Sequence, residues 1–219
     1  MTQTILNRIG ITLPIFQAPM AGVSTPALAA AVSEAGGLGA LGLGASSAAA
    51  VHQAISEART LTERPFNANF FCHRPAPRTE AVEQAWIRSA SPLFSDFGAT
   101  PPSELEEIYI SFRETDDFLR VVLDLRPAVV SFHFGLPRAH QIAAMRDAGL
   151  TLIASATSLS EARLIADAGF HAVIAQGWEA GGHRGIFEPD GPDERLSTRD
   201  LTRLLVQEAG LPVVAAVGM

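Results

Sequence analysis

Apolar residues along this chain gather in short continuous runs, and four of the runs share one lead-in. An acidic residue, Ala and Gly stand at Glu34-Ala35-Gly36, Asp147-Ala148-Gly149, Asp167-Ala168-Gly169 and Glu208-Ala209-Gly210, ahead of apolar runs at 38–43, 150–154, 170–175 and 211–217. A glycine in the left-handed conformation ends a helix, and a strand that is apolar at every position is buried on both faces, so each repeat reads as a helix-to-strand turn of a parallel sheet. Helix starts agree with this. Thr25-Pro26 supplies an N-cap and a first-turn proline, Ser158 with Glu161 reads as a capping box, and Ser197 with Asp200 as a weaker one. In the helix after Thr25, the spacing of Leu28, Ala31, Val32 and Ala35 predicts one apolar face.

Further apolar runs bring the expected strands to seven, near residues 13–18, 38–43, 66–71, 128–134, 150–155, 171–176 and 211–217. Alternating βα units of this kind predict a parallel α/β fold. Their number points to a TIM (β/α)8-type barrel, lacking its eighth strand, rather than to a doubly wound sheet. One domain is expected over 1–219, with a helical insertion at about 73–127 patterned around 80–89, 104–112 and 115–125 and broken by the Pro/Ser/Gly-rich stretch 91–103. The repeat spacing doubles after the strand ending at Gln176. The added length holds Gly177-Trp-Glu-Ala-Gly-Gly-His-Arg-Gly185, and in a barrel the loops after strands carry the active site.

Composition narrows the partners. A hydrophobic share of 47% over 219 residues implies a large core. A net charge of −7 disfavours nucleic acid, which draws a basic face, so small molecules are expected. The single cysteine, Cys72, permits no intrachain disulfide, and neither a leader pattern nor an apolar run of membrane-spanning length is present, which together lead us to expect a cytoplasmic location.

The candidate chemistry is concentrated at strand ends. His183 sits in a glycine loop and can take a proton near neutral pH, or it can simply bond backbone. His133, in Ser131-Phe-His-Phe-Gly135, is by alternation on the same side of its strand as Ser131, and is either a site residue or a satisfied core histidine. The amides of Gln176 and Asn69 offer donor and acceptor together, suiting a heterocycle edge or a loop cap. Met20 after Pro19 suits a planar ligand or the core, and Cys72 lacks an evident His/Asn partner and reads as structural. No phosphate-loop lysine motif, His-Glu-x-x-His or Cys-x-x-Cys pattern occurs, and no metal site is expected.

Gln17-Ala-Pro-Met-Ala-Gly22 with Ser24-Thr-Pro26, Ala30-Ala-Val-Ser-Glu-Ala-Gly-Gly-Leu-Gly39, Ser131-Phe-His-Phe-Gly135 and Ala175-Gln-Gly-Trp-Glu-Ala-Gly-Gly-His-Arg-Gly185 closely resemble the nitronate monooxygenase family, formerly called 2-nitropropane dioxygenases. The resemblance runs over essentially the whole chain. It implies an FMN-dependent barrel that oxidises alkyl nitronates such as propionate 3-nitronate with O2, giving a carbonyl compound and nitrite. It also implies that the backbone at Ala18, Pro19 and Met20 lies beside the flavin ring, that Asn69 and Gln176 bond its polar edge, and that Gly181, Gly182 and Gly218 approach the phosphate or ribityl chain. His183 resembles the family's active-site histidine, with His133 a second polar wall.

Members of the family continue past the seventh strand with a phosphate loop, an eighth strand and a C-terminal segment, so a truncated barrel is expected here. Two alternatives follow: a reductase of the same fold that uses a pyridine nucleotide and a quinone or enoyl substrate, and a non-catalytic fragment associating through its open sheet edges as a homo-oligomer.

Overall fold

The structure is a computed structural model, described here for residues 5–216. Six strands, β1 (Gly39–Gly42), β2 (Phe66–Phe71), β3 (Val129–His133), β4 (Thr151–Ala156), β5 (Ala172–Gln176) and β6 (Val213–Ala216), lie side by side in chain order, all parallel. Helix α2 (Pro26–Glu34) leads into β1, and between the strands run α3 (Ala48–Leu61), α4 (Glu80–Asp96), α5 (Asp117–Leu125), α6 (Ala139–Asp147), α7 (Leu159–Asp167) and α8 (Thr198–Glu208). A short α1 (Ile5–Ile9) precedes them. Sequential parallel strands with a helix in each connection form a curled half-barrel, and the helix-to-strand turns follow the repeat: Gly36, Gly149, Gly169 and Gly210 all have φ between 67° and 95°.

The strands have an outer and an inner face. Outward residues Leu41, Phe70, Val130, Phe132, Leu152 and Val173 pack under Ile55, Val122, Met145, Ile165, Leu201 and Leu205 of the helices. The inward face has two levels. Toward the N-terminal strand ends, Leu38, Val129, Ile153 and Ala172 meet Ile9 and Ile11, so α1 and its following turn cover that end with apolar side chains. Toward the C-terminal ends the same face carries Asn69, Ser131, His133 and Gln176.

Three expectations need correction. The run at 13–18 forms only a parallel bridge, Phe16 to Leu38, because Pro14 and Pro19 lack ladder donors and the N–H groups of Thr12 and Leu13 turn back to Gly36 O. In α2 the expected apolar face is turned out, with Leu28 38% exposed, while Ala29, Ala30 and Ser33 are buried. The cause is close helix-to-strand packing. Ala29 O occupies the place a side chain on Gly39 would need, and Ser33 Oγ donates to Pro65 O (2.8 Å) and accepts from Gly39 N (3.2 Å). In the insertion, α4 runs on through Pro92, and the helix expected at 104–112 is irregular chain, bent at 103–104, up to a 3-10 turn at Phe112–Glu114. Arg78 Nη2 and Gln84 Nε2 donate to the carbonyls of Leu105 and Ser103, tying that segment to the start of the insertion.

Candidate active site

The inner residues nearest the C-terminal ends of β2, β3 and β5 converge. Asn69 pairs in register with Ser131, and Phe71 with His133, so alternation along two adjacent strands brings an amide, a hydroxyl, an aromatic ring and an imidazole into one patch. Asn69 Nδ2 and Asn67 Nδ2 each donate to Ser131 Oγ at 2.8 Å. On β1, Gly42 is the register partner of Asn69, and the backbone of Met20 and Ala21 lies against it: a Cβ there would come within 2.8 Å of Met20 C. Ala18, Pro19 and Met20 therefore form a rim beside Asn69, fixed by Ser24 Oγ, which accepts from Met20 N (2.8 Å) and donates to Ala18 O (3.1 Å).

The glycine loop after β5 closes the patch. His133 Nε2 and Gln176 Nε2 both donate to His183 O, at 2.9 and 2.8 Å. Gln176 Oε1 accepts from Gly185 N at 2.6 Å, and Arg184 Nη1 donates to Gln176 O at 2.7 Å. A carbonyl can only accept, so His133 carries its proton on Nε2. Burial lowers the pKa of this ring, the bond to His183 O offsets part of that, and the neighbouring His183 ring lowers it again. His133 is thus a neutral donor that holds the loop, and the His183 side chain is left exposed at the mouth.

Around His183 stand Phe71, Phe134 and Tyr109, each edge-on, with ring centroids 5.9, 5.9 and 6.4 Å away. Sequence reasoning missed all three. Phe71 was within reach of strand alternation from Asn69; Tyr109 was hidden by the mistaken helix. Arg184 forms a two-pronged pair with Asp193 (3.0 and 2.7 Å), which holds that carboxyl below the usual range. Glu179 Oε1 accepts from Thr198 N at the start of α8 (2.8 Å), and bonds from its own backbone N–H and from Thr198 lower its pKa. Cys72 is fully buried outside the patch, where burial pushes its thiol up.

Of the expected site residues, His183, His133, Gln176 and Asn69 share this end of the sheet with Ala18, Pro19 and Met20. Gly181 and Gly182 are exposed on the loop, Gly182 with φ 78° and open space where a Cβ would stand. Gly218 lies outside the described residues. A concavity of about 610 Å³ lined by Glu34, Arg59 and Thr60 through Arg64 is elsewhere, near the loop entering β2, and touches none of these residues. No group of His, Cys, Asp or Glu suited to a metal ion occurs among the described residues.

Parallel βα units with polar side chains collected at the C-terminal strand ends define a βα-barrel protein whose site is built by loops on that end. The nitronate monooxygenase family model matches residues 3–219, and the chain belongs to that family. It is 56% identical over 217 residues to a nitronate monooxygenase of Paraburkholderia phytofirmans, covering 99% of this chain and 59% of the relative. To one of Pseudomonas aeruginosa it is 51% identical over 219 residues, covering 100% and 62%. Among solved structures, nitroalkane oxidase from Streptomyces ansochromogenes superposes with a TM-score of 0.82 at 38% identity, covering 93% of this chain and 58% of that one. The chain thus spans about three fifths of the length of the relatives it matches. No helix among the described residues is long and apolar enough to cross a membrane.

Proposed function

We propose that this chain supplies the flavin-facing half of a site that oxidises small alkyl nitronates, propionate 3-nitronate among them, with O2 to a carbonyl compound and nitrite. The observation that carries the reading is the exposed His183 imidazole enclosed by Phe71, Tyr109 and Phe134 beside the Asn69 and Gln176 amides.

FMN fits what is present. The Ala18, Pro19 and Met20 backbone forms a rim against side-chain-free Gly42, next to an amide able to bond a ring edge. The open space at Gly182 suits a phosphate approached by backbone N–H groups. The nearby Arg184 is already committed to Asp193, so a backbone cradle rather than a cation meets the anion. When bound, FMN supplies the electron transfer between nitronate and O2.

The chain's own residues orient and enclose. A nitronate is an anion with its carbon already activated, so a ring N–H of His183 donating to a nitronate oxygen fixes its orientation; with a neutral nitroalkane, a ring nitrogen in its unprotonated form would take the proton from carbon. The aromatic walls suit a short alkyl chain. The neutral His133 adds no second charge and keeps its Nε2 proton on the His183 carbonyl.

The test is the 300–550 nm spectrum of the purified chain with added FMN, followed by nitrite release from propionate 3-nitronate. Bound flavin with turnover, and a His183→Asn variant that keeps the flavin but releases nitrite at least about 100-fold more slowly, is the expected result. A chain that takes up no FMN, or a flavin bleached by NAD(P)H yet inert to nitronate, overturns the reading.

A further inference from the structure

Phe134 has a backbone conformation that its sequence position does not lead one to expect. Among the described residues only Arg126, Phe134 and Arg195 have positive φ without being glycine, and Phe134, at φ 69°, is the one aromatic residue of the three. A left-handed conformation is unfavourable for a residue with a Cβ, so it persists only where surrounding contacts fix it. Strand alternation would send Phe134 outward with Phe132. Instead the chain turns sharply into Gly135 (φ 137°), where a Cβ would come within 2.9 Å of Cys72 O, and the Phe134 ring folds back over the end of β3.

There the ring meets three imidazoles and one phenyl: His133 at 4.4 Å, Phe71 at 4.9 Å, His183 at 5.9 Å and His73 at 6.4 Å between centroids, all with steep interplanar angles of 63–89°. The Cα of Gly185 approaches the His133 ring as well, so closely that a Cβ on it would lie 2.8 Å from Nδ1 and 3.0 Å from Nε2. His133 is thus pinned between the Phe134 ring and the glycine loop, which leaves its Nε2–H aimed at His183 O.

We propose that Phe134 is a positioning residue of this site, whose left-handed backbone places its ring where it sets the plane of His133 and, through the His133-to-His183 carbonyl bond, the location of the His183 side chain. The proposal rests on His183 being the nitronate-facing group only for its consequence in turnover. The positioning itself is a property of this chain and can be read without flavin or substrate.

The experiment compares histidine ring NMR signals and their pH titrations in the flavin-free chain with those in Phe134→Gly, Phe134→Ala and Phe134→Tyr. Glycine relieves the backbone cost while removing the ring, so Phe134→Gly is expected to fold and to melt above Phe134→Ala. It should nevertheless lose the slowly exchanging His133 Nε2–H signal and titrate His133 at higher pH. Phe134→Ala should show the same spectral loss with a lower melting temperature, and Phe134→Tyr should restore the parent spectrum.

In FMN-loaded protein, Phe134→Gly is expected to raise the KM for propionate 3-nitronate roughly tenfold with a smaller change in kcat. A Phe134→Gly chain whose His133 and His183 signals match the parent overturns the proposal. So does one that fails to fold, since the ring would then be general packing. Failure of FMN uptake with the NMR changes intact overturns the proposed function but not the positioning role.

Discussion

Replacing Gly185 by alanine tests whether the glycine loop is held by the contacts described. Its backbone has no positive φ to strain, so the effect of Gly185→Ala comes from space alone. The added methyl would fall 2.8 Å from His133 Nδ1 and 3.0 Å from Nε2, and either the imidazole or the loop must move. Movement of either breaks His133 Nε2 to His183 O (2.9 Å) and loosens Gln176 Nε2 to His183 O (2.8 Å) and Gly185 N to Gln176 Oε1 (2.6 Å). Two or three bonds at about 1 kcal/mol each, together with overpacking, give a loss of about 2–4 kcal/mol. In a chain of this size that lowers the melting temperature by roughly 5–10 °C. Gly182→Ala is the control. Its φ of 78° makes the substitution cost about 1 kcal/mol in backbone strain, but no atom lies within 4 Å of the new methyl and His133 is untouched. Thermal unfolding by circular dichroism, with hydrogen exchange at the Gly185 amide, reads both variants. A Gly185→Ala chain melting within about 2 °C of the parent with that amide still protected, or Gly182→Ala proving the worse of the two, would refute the reasoning.

Two more predictions concern elements that support the site. The buried Glu161 carboxylate accepts from Thr157 N (2.6 Å), Thr157 Oγ1 (2.8 Å) and Phe187 N (2.7 Å), so Glu161→Gln, which turns one acceptor into a donor, is expected to cost about 2–3 kcal/mol by denaturant unfolding and to speed exchange at the Phe187 amide. A cost under about 0.5 kcal/mol would count against it. His171 Nδ1 accepts from Leu152 N, and burial, with the charges of Arg8 and Arg146, lowers its pKa to about 4. Its unfolded value is near 6.5, so the unfolded chain takes up the proton first: the contribution is complete above about pH 6.5 and is lost as pH falls toward 4. Half-exposure limits it to about 1–2 kcal/mol, and a melting temperature whose slope over that range is unchanged in His171→Gln would rule it out.

The repeated acidic-Ala-Gly turns were legible because a positive-φ glycine is a local requirement that leaves a mark at one position; all four glycines adopt it. Strand ends bearing Asn69, His133 and Gln176 were legible for a similar reason, since period-two alternation places inner residues without any knowledge of partners. What sequence pattern missed depends on contacts between distant segments. The exposure of Leu28 follows from Ala29 O packing on Gly39, a close approach that helical periodicity does not encode. Tyr109 packs on Phe71 from an irregular segment whose carbonyls at Ser103 and Leu105 are held by Gln84 and Arg78, against a composition that favours helix.

The inner face of the half-barrel explains why the site stands where it does. Its lower level is a dry contact of Leu38, Val129, Ile153 and Ala172 with Ile9 and Ile11, which supports the fold. One level up, a single hydroxyl, Ser131 Oγ, accepts from both Asn67 and Asn69, and Asn67 Oδ1 is buried without a partner among the described residues. Turning the Asn67 amide about would give Ser131 an acceptor for its proton but would leave the amide nitrogen unpaired instead. A buried unpaired polar atom costs about 1–3 kcal/mol, and an apolar residue at 67 would remove that cost. The Asn67 carbonyl oxygen is therefore a cost to the fold rather than a contribution to it. Because Asn69 shares its hydroxyl partner with Asn67, whose register partner is Val129 of the level beneath, the hydrogen bonding of the Asn69 amide is fixed in part from below.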